Sequence, residues 1–333
     1  MFAPWFAFVN RSVRKLIYVS TADHRYTFRA VRKQLRAQAV DAQILSYERL
    51  FCGRFTPEAT YIFTDFDRLS ASELEAATLV RDRIVAAGSR VINDPRNFLP
   101  RDALLRRLHQ SGINRFACFA PAHGEWPGRF PVFLRTIAAH RGVLGDLLHD
   151  SASAKAALAH ALAAGHPISD LMLVEYAAEP QPETGTFQKH AAFRVGTHII
   201  RANTVNDTSW AAKTGVRHGA SDAQYRAERA EMDAYPHTAF VEAVFDLAGM
   251  EFGRIDFGIV AGRPQAYEIN TNPMMVFASG HENADRQETV DLMQARLIAA
   301  LAEVAGPVGG PRISLSRCFK TGKSLLLRRP RRR

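Results

Sequence analysis

Residues 252–273 constrain this chain most, because they read as a β-hairpin with acidic groups at fixed places. Two runs rich in aromatic and β-branched residues, Phe252 to Val260 and Gln265 to Ile269, flank Ala261, Gly262, Arg263 and Pro264, a punctuation that suits a tight connection. Side chains alternate along a strand, so Glu268 and Asn270 share one face. A three-residue loop, Ala261 to Arg263, pairs Val260 with Pro264 and sets Asp256 opposite Glu268. Two facing carboxylates repel, at a cost of about 0.2–1 kcal/mol.

A cation between them turns that repulsion into affinity. Hard divalent ions take carboxylate and amide oxygens, and magnesium in particular uses one or two carboxylates together with substrate phosphates. Asp256, Glu268 and Asn270 supply such oxygens, with Arg254 two residues before the aspartate. On these residues alone a solvated acidic face on an ordinary hairpin stays open as the alternative.

Arg254-Ile-Asp256-Phe257 followed by Glu268-Ile-Asn270-Thr-Asn-Pro273 resembles the carboxy-terminal signature of ATP-grasp enzymes, notably D-alanine–D-alanine ligases, glutathione synthetases and the ribosomal-protein S6 glutamate ligases. The resemblance implies that Asp256, Glu268 and Asn270 hold Mg2+, with Mn2+ as a substitute, on ATP. It also implies that Arg254 is catalytic, steadying charge on an acyl phosphate and a tetrahedral intermediate. It covers about residues 93–273, with the specific motifs at its end. The amino-terminal third matches by architecture alone.

A chain of 333 residues exceeds what one core supports, so two or three subdomains are expected. Strands over Lys15 to Ser20, Gln43 to Tyr47, Thr60 to Thr64 and Arg90 to Asn93 alternate with two helices. One runs from about His24 to Ala39; the other runs to Ala87 from an N-cap at Ser72 with Glu75 completing a capping box. This alternation implies a small parallel sheet. A helix from about Arg101 carries Leu104, Leu105 and Leu108 on one face and stops at Gly112. Strands follow over Phe130 to Arg135, Ile168 to Tyr176 and Phe187 to Ile200, then helices over Ala234 to Ala248 and Asn283 to Val304. The expected fold class is α/β (α+β) with ATP-grasp architecture. Residues 1–97 form the amino-terminal α/β domain, 98–176 the central subdomain with a lid, 177–308 the carboxy-terminal subdomain with the metal site, and 309–333 a disordered basic tail.

Further site residues follow from the resemblance. The strand ending at Arg135 has a family counterpart that ends in a phosphate-binding lysine. This chain has seven lysines, none between Lys33 and Lys155, so an arginine or histidine must serve there. Arginine's planar fork binds phosphate bidentately. The glycine-rich lid is represented by residues 138–145, where His140 and Arg141 stand as potential cations beside Gly142 and Gly145. Glu175, Tyr176 and Ala177 fall where the family's hinge bonds adenine through its backbone, and Glu183, with Glu179 in reserve, where an acid holds the ribose. Lys189, Arg201 and Lys213 are the remaining candidates for the phosphates.

The net charge of +10 sits mostly at the end: residues 311–333 carry seven arginines, two lysines and no acid. Such a tail is expected to be a disordered arm able to touch anionic membrane, RNA or an acidic partner. Thr321-Gly-Lys-Ser324 imitates the end of a phosphate-binding loop, but Arg317 stands where its first glycine belongs. Cys52, Cys118 and Cys318 make neither a metal spacing nor a disulfide framework. No apolar run reaches the ~18 residues of a membrane span, and the start lacks a signal peptide's basic region, so a cytoplasmic protein is expected. The expected activity is ATP-dependent joining of a small-molecule or peptide carboxylate to an amine, by a possible homo-oligomer. D-alanine ligation itself is not expected, because Met274 follows Asn272-Pro273 where that group has glycine. An ATP-grasp kinase, a degenerate nucleotide-binding regulator and a nucleic-acid-binding protein using the tail remain as rivals.

Overall fold

The computed structural model describes residues 14–138, 142–213, 215–216, 219–276, 280–307 and 311–315. The first unit runs β1 (Arg14–Ser20), α1 (Tyr26–Arg29), α2 (Val31–Ala37), β2 (Val40–Ser46), α3 (Tyr47–Cys52), β3 (Phe55–Thr56), β4 (Thr60–Phe63), α4 (Ala71–Ala86) and β5 (Val91–Ile92). β1 pairs in parallel with β2 and β4, and β4 with β5, as the alternation of strands and helices implied. A parallel sheet is covered on both faces, and Leu16, Ile17, Tyr18 and Val19 are accordingly buried.

Two local expectations shift. The helix expected over residues 24–39 is two short ones meeting at Ala30. The capping box lies at Ser70 and Glu73 rather than Ser72 and Glu75: the Ser70 hydroxyl accepts from the Glu73 N–H, and the Glu73 carboxylate accepts from the Ser70 N–H. The Ser-x-x-Glu pattern occurs twice, two residues apart. The earlier one starts the helix that buries Ala76, Ala77, Val80 and Ile84.

The middle of the chain supplies α5 (Arg101–Gln110), β6 (Cys118–Phe119), β7 (Val132–Thr136), α6 (Ser151–Ala163) and β8 (Leu171–Glu175). The strands form an antiparallel sheet in the order β6-β8-β7. Val132, Leu134, Leu171 and Leu173 pack on Ala154 and Ala161 of α6. Strand alternation therefore turns Phe133, Arg135 and Val174 to the opposite face.

The last part holds β9 (Phe187–Val195), β10 (His198–Asp207), α7 (Asp222–Ala230), α8 (Thr238–Ala248), β11 (Phe252–Val260), β12 (Arg263–Asn270), α9 (Ala284–Val304), β13 (Gly306–Pro307) and β14 (Ile313–Ser314). Its antiparallel sheet has the order β10-β9-β11-β12. The hairpin loop has two residues, not the expected three: Val260 pairs with Arg263, across Ala261 (φ 47°) and Gly262 (φ 71°). Positive φ at both positions is the turn whose twist matches the flanking strands. A bulge between Asp256 and Phe257 on one side, which leaves Tyr267 unpaired on the other, then shifts the register by one. Asp256 faces Glu268 after all.

α9 buries Val290, Met293, Leu297 and Leu301 against Phe193, Val195 and Phe252 of this sheet and Leu16 and Tyr18 of the first. The chain then returns to the first unit, where β13 pairs with β1 and β14 with β3. The stretch 311–315 is thus ordered, contrary to the expected tail, because Ile313 and Leu315 are apolar at alternate positions and both are buried. Residues 316–333, with Thr321-Gly-Lys-Ser324 and most of the basic charge, lie outside the described residues. Among those described, no helix is long and apolar enough to cross a membrane.

Asn93 ties the first unit to the β11–β12 hairpin. Held at φ 66°, its amide donates to the carbonyls of Phe63 and Phe252 and accepts from the N–H groups of Glu251 and Phe252. Each buried partner left unsatisfied costs about 1–3 kcal/mol. Asn93→Ala is expected to lower unfolding free energy by at least about 2 kcal/mol in a denaturant titration.

Candidate functional site

A cavity of about 790 Å3 lies between the face of β7 and β8 that carries Phe133, Arg135 and Val174 and the sheet face that carries Lys189, Arg254, Asp256, Glu268 and Asn270. This is the size of a small-molecule site. Residues 175–179 and the loop Trp210 to Lys213 line one end; Asp67, Leu69 and Arg101 line another part.

The acids are matched by cations. Asp256 is buried, with Arg254 donating from Nε to Oδ1 at 2.8 Å and from Nη2 to Oδ2 at 3.2 Å, while Lys189 Nζ stands 3.4 Å from Oδ2. Glu268 is ion-paired with Arg101. The Asn270 side-chain oxygen accepts from the Asn272 N–H at 2.9 Å. Two carboxylates and an amide oxygen fit magnesium, which completes its shell with water and phosphate oxygens. No group of three or more His, Cys, Asp or Glu side chains suited to a metal occurs among the described residues.

Arg135 and Arg101 face the opposite situation, charge in excess. Burial, reinforced by the charge of Arg101, pushes Arg135 down to about 9. Burial likewise lowers Arg101 to about 10, against the pull of Asp67 and Asp256. Arg135 Nε and both Nε and Nη1 of Arg101 are buried without a hydrogen-bond partner. Buried charged donors left open are costly, and an anion is what would satisfy them. Arg101 was not singled out by sequence reasoning. Its signal was available: a cation in the first turn of a helix opposes the macrodipole, and Arg101 is the first residue of α5.

Lys213 also lines the cavity. A Cβ at Gly142 would stand 2.8 Å from Lys213 Nζ, so glycine, at φ 78°, lets the lysine close over residues 142–143. His140 and Arg141 of the expected lid lie outside the described residues.

At the other end, the hinge offers backbone groups. The N–H groups of Glu175 and Tyr176 donate to the carbonyls of Ala117 and Pro131, and the Ala177 carbonyl accepts from the Tyr267 hydroxyl at 2.6 Å. Among the described residues the Ala177 N–H has no partner. The Glu175 carboxylate is structural, gripped by Arg129 at 2.6 and 2.9 Å and by the Ala117 N–H. Trp210, not singled out as a site residue from sequence, packs 4.8 Å from the Phe133 ring and 5.7 Å from that of Tyr176, forming an aromatic wall.

Two expected site residues fall outside the cavity. Glu183 is exposed in the turn before β9, whereas Glu179, the reserve, lines the cavity and accepts from the Ala261 N–H at 2.8 Å. Arg201 lies between Ile200 and Ala202, which pack into the core beneath α9, so strand alternation turns it away from them. It bonds Glu228 and Glu231 at 2.9 Å each. Burial works to raise the Glu228 carboxyl, but Arg286 and Arg201 hold it below the usual range.

The arrangement of the two sheets about the cavity has counterparts among solved structures. The ATP-grasp ligase PsnB, complexed with precursor peptide PsnA2 and AMPPNP, aligns over 89% of this chain and 99% of its own with a TM-score of 0.52 at 13% identity. The chain has the ATP-grasp fold. PsnB with a minimal precursor, Mg and ADP matches this ATP-grasp chain over 87% of its length and 96% of the ligase, with a TM-score of 0.52 at 14% identity. An ATP-grasp RimK domain protein from Sphaerobacter thermophilus aligns over 87% of this chain and 99% of its own at 15% identity, with a TM-score of 0.48. No family model matches the sequence, and no curated protein does. At these identities the likeness is one of fold.

The two arginines separate in stability. Arg201→Gln opens a buried ion-pair network and is expected to cost about 3 kcal/mol, whereas Arg135→Gln relieves an unpartnered charge and is expected to raise the melting temperature of the ligand-free protein. Thermal melts of the two variants beside the parent check both signs.

Proposed function

We propose that this protein is an ATP- and magnesium-dependent carboxylate–amine ligase that forms an amide or peptide bond through an acyl phosphate and releases ADP and phosphate. The observation that carries this reading is the charge arrangement of the cavity. Two facing carboxylates and an amide oxygen stand among Lys189, Arg254 and Arg101, with Arg135 unpartnered nearby, in a chain with the ATP-grasp fold. The PsnB structures, which hold AMPPNP with a precursor peptide or Mg and ADP with a minimal precursor, support the nucleotide and magnesium part of this reading.

Adenine packs on Phe133, Tyr176 and Trp210 and takes the Ala177 N–H, and Glu179 receives the ribose hydroxyls. Arg101, Arg135, Lys189 and Lys213 hold the phosphates, exchanging their present carboxylate partners, where they have them, for phosphate oxygens. Asp256, Glu268 and Asn270 would hold magnesium, which would supply positive charge to neutralise the phosphates. An oxygen of the substrate carboxylate attacks the γ-phosphorus. The bond from that phosphorus to the bridging oxygen breaks, and its electron pair leaves with ADP. The amine nitrogen then attacks the acyl carbon, loses a proton, and the C–O bond to phosphate breaks. Arg254 faces the negative charge that develops on the acyl oxygen. Positioning and charge neutralisation are the main demands of phosphoryl transfer.

Incubation with Mg-ATP and pools of acids and amines, followed by separation of ADP from AMP, tests the proposal. ADP and phosphate are expected, with loss of turnover on chelation by EDTA and a fall of at least about 10²-fold in Asp256→Asn and in Glu268→Gln. Release of AMP and pyrophosphate overturns it, as does full activity in both variants.

A further inference from the structure

The wall of the cavity changes character along its length. The hinge end is aromatic, the middle is charged, and beyond Arg101 lies a third stretch lined by Leu69, Leu74, Phe98 and Leu99. Two segments supply these side chains: the loop from β4 together with the first turn of α4, and the run into α5. The segments are pinned together. The Phe66 and Phe98 rings lie 5.8 Å apart, the Phe66 N–H donates to Thr271 Oγ1 at 3.3 Å, and Arg101 is paired with Glu268.

All four apolar side chains are half-buried, so the core leaves part of each open to the cavity. The nucleotide does not account for them, since the base belongs at the hinge and the phosphates at the cations. Phe98 and Leu99 lead directly into Arg101, whose pairing with Glu268 places the patch beside the acids of the hairpin. Arg101, with two open guanidinium nitrogens, stands at its edge beside the cations Arg135 and Arg254. A carboxylate suits that edge, and an ammonium group does not.

We propose that this patch receives the apolar side chain of the acid that is activated. The carboxylate substrate is thus one with a branched aliphatic or aromatic side chain, its carboxylate turned toward Arg101 and Arg254. The proposal rests on the ligase reading and deepens it. Ala71, which also lines the cavity here, marks room that a larger residue would fill.

Hydroxylamine separates the two substrates. Supplied as the nucleophile, its nitrogen attacks the acyl carbon of the acyl phosphate, a proton is lost, and phosphate leaves, so that any activated acid is recorded as a hydroxamate. The full chain with Mg-ATP is offered 4-methylpentanoate, 3-phenylpropanoate and N-acetyl-leucine against succinate and N-acetyl-aspartate. Apolar acids are expected to exceed the polar ones in kcat/KM by at least about tenfold. Leu74→Glu is expected to raise KM for the apolar acids by a similar factor, while thermal stabilisation by Mg-AMPPNP is retained. Ala71→Phe should reject 3-phenylpropanoate while keeping a shorter branched acid such as 3-methylbutanoate. Equal or better turnover of polar acids overturns the proposal and leaves the ligase reading standing. Stabilisation by Mg-AMPPNP with no ADP and no hydroxamate from any acid overturns both.

Discussion

Two carboxylates placed face to face across a hairpin are the constraint on which the cavity is organised. Asp256 and Glu268 repel unless something positive stands between or beside them. In this structure the charge is balanced from three separate elements: Arg254 two residues along the same strand, Lys189 on the neighbouring strand, and Arg101 at the start of a helix from another part of the chain. The last of these joins sequence-distant parts around one pair of acids. Neutralisation of the acids and assembly of the cavity are therefore the same event.

The first unit contributes to this as a clamp. Asn93 bonds both to β4 and to the start of β11. Asn272, just past the hairpin, accepts from the Tyr18 hydroxyl at 2.8 Å and the Thr27 hydroxyl at 2.7 Å. Both ends of the hairpin are thus tied to the parallel sheet through buried amides. Such groups are costly if unmatched, so they fix the position of the hairpin more sharply than apolar packing alone. α9 adds the apolar counterpart, with one helix face touching both sheets.

How much was legible in the sequence depended on whether a residue's role is local. The hairpin announced itself because alternation and turn chemistry are short-range, and even the wrong loop length was offset by the bulge at Tyr267. The capping box slipped by two residues because two serines and two glutamates offer the same local pattern. α6 went unread: its run of alanines gives no apolar stripe, although Ala154 and Ala161 meet the sheet. Arg201 was read as facing the phosphates because strand periodicity fixes which residues share a face and not what covers that face. Glu179 and Glu183 differ by a turn whose path the composition does not dictate. Arg101 acquires its role only when α5 docks against β12.

The use of arginine at position 135, where the resemblance implies a lysine, has a physical consequence. Arg135 and Arg101 pay a heavy burial penalty, lowered to about 9 and about 10, yet both remain protonated at neutral pH. A lysine starts from about 10.4, so the same burial would leave it nearer to losing its charge. Arginine keeps its charge and, through open Nε and Nη1 atoms, its directional donors. The absence of lysine between residues 33 and 155 is thus compatible with an anion-binding role for Arg101 and Arg135.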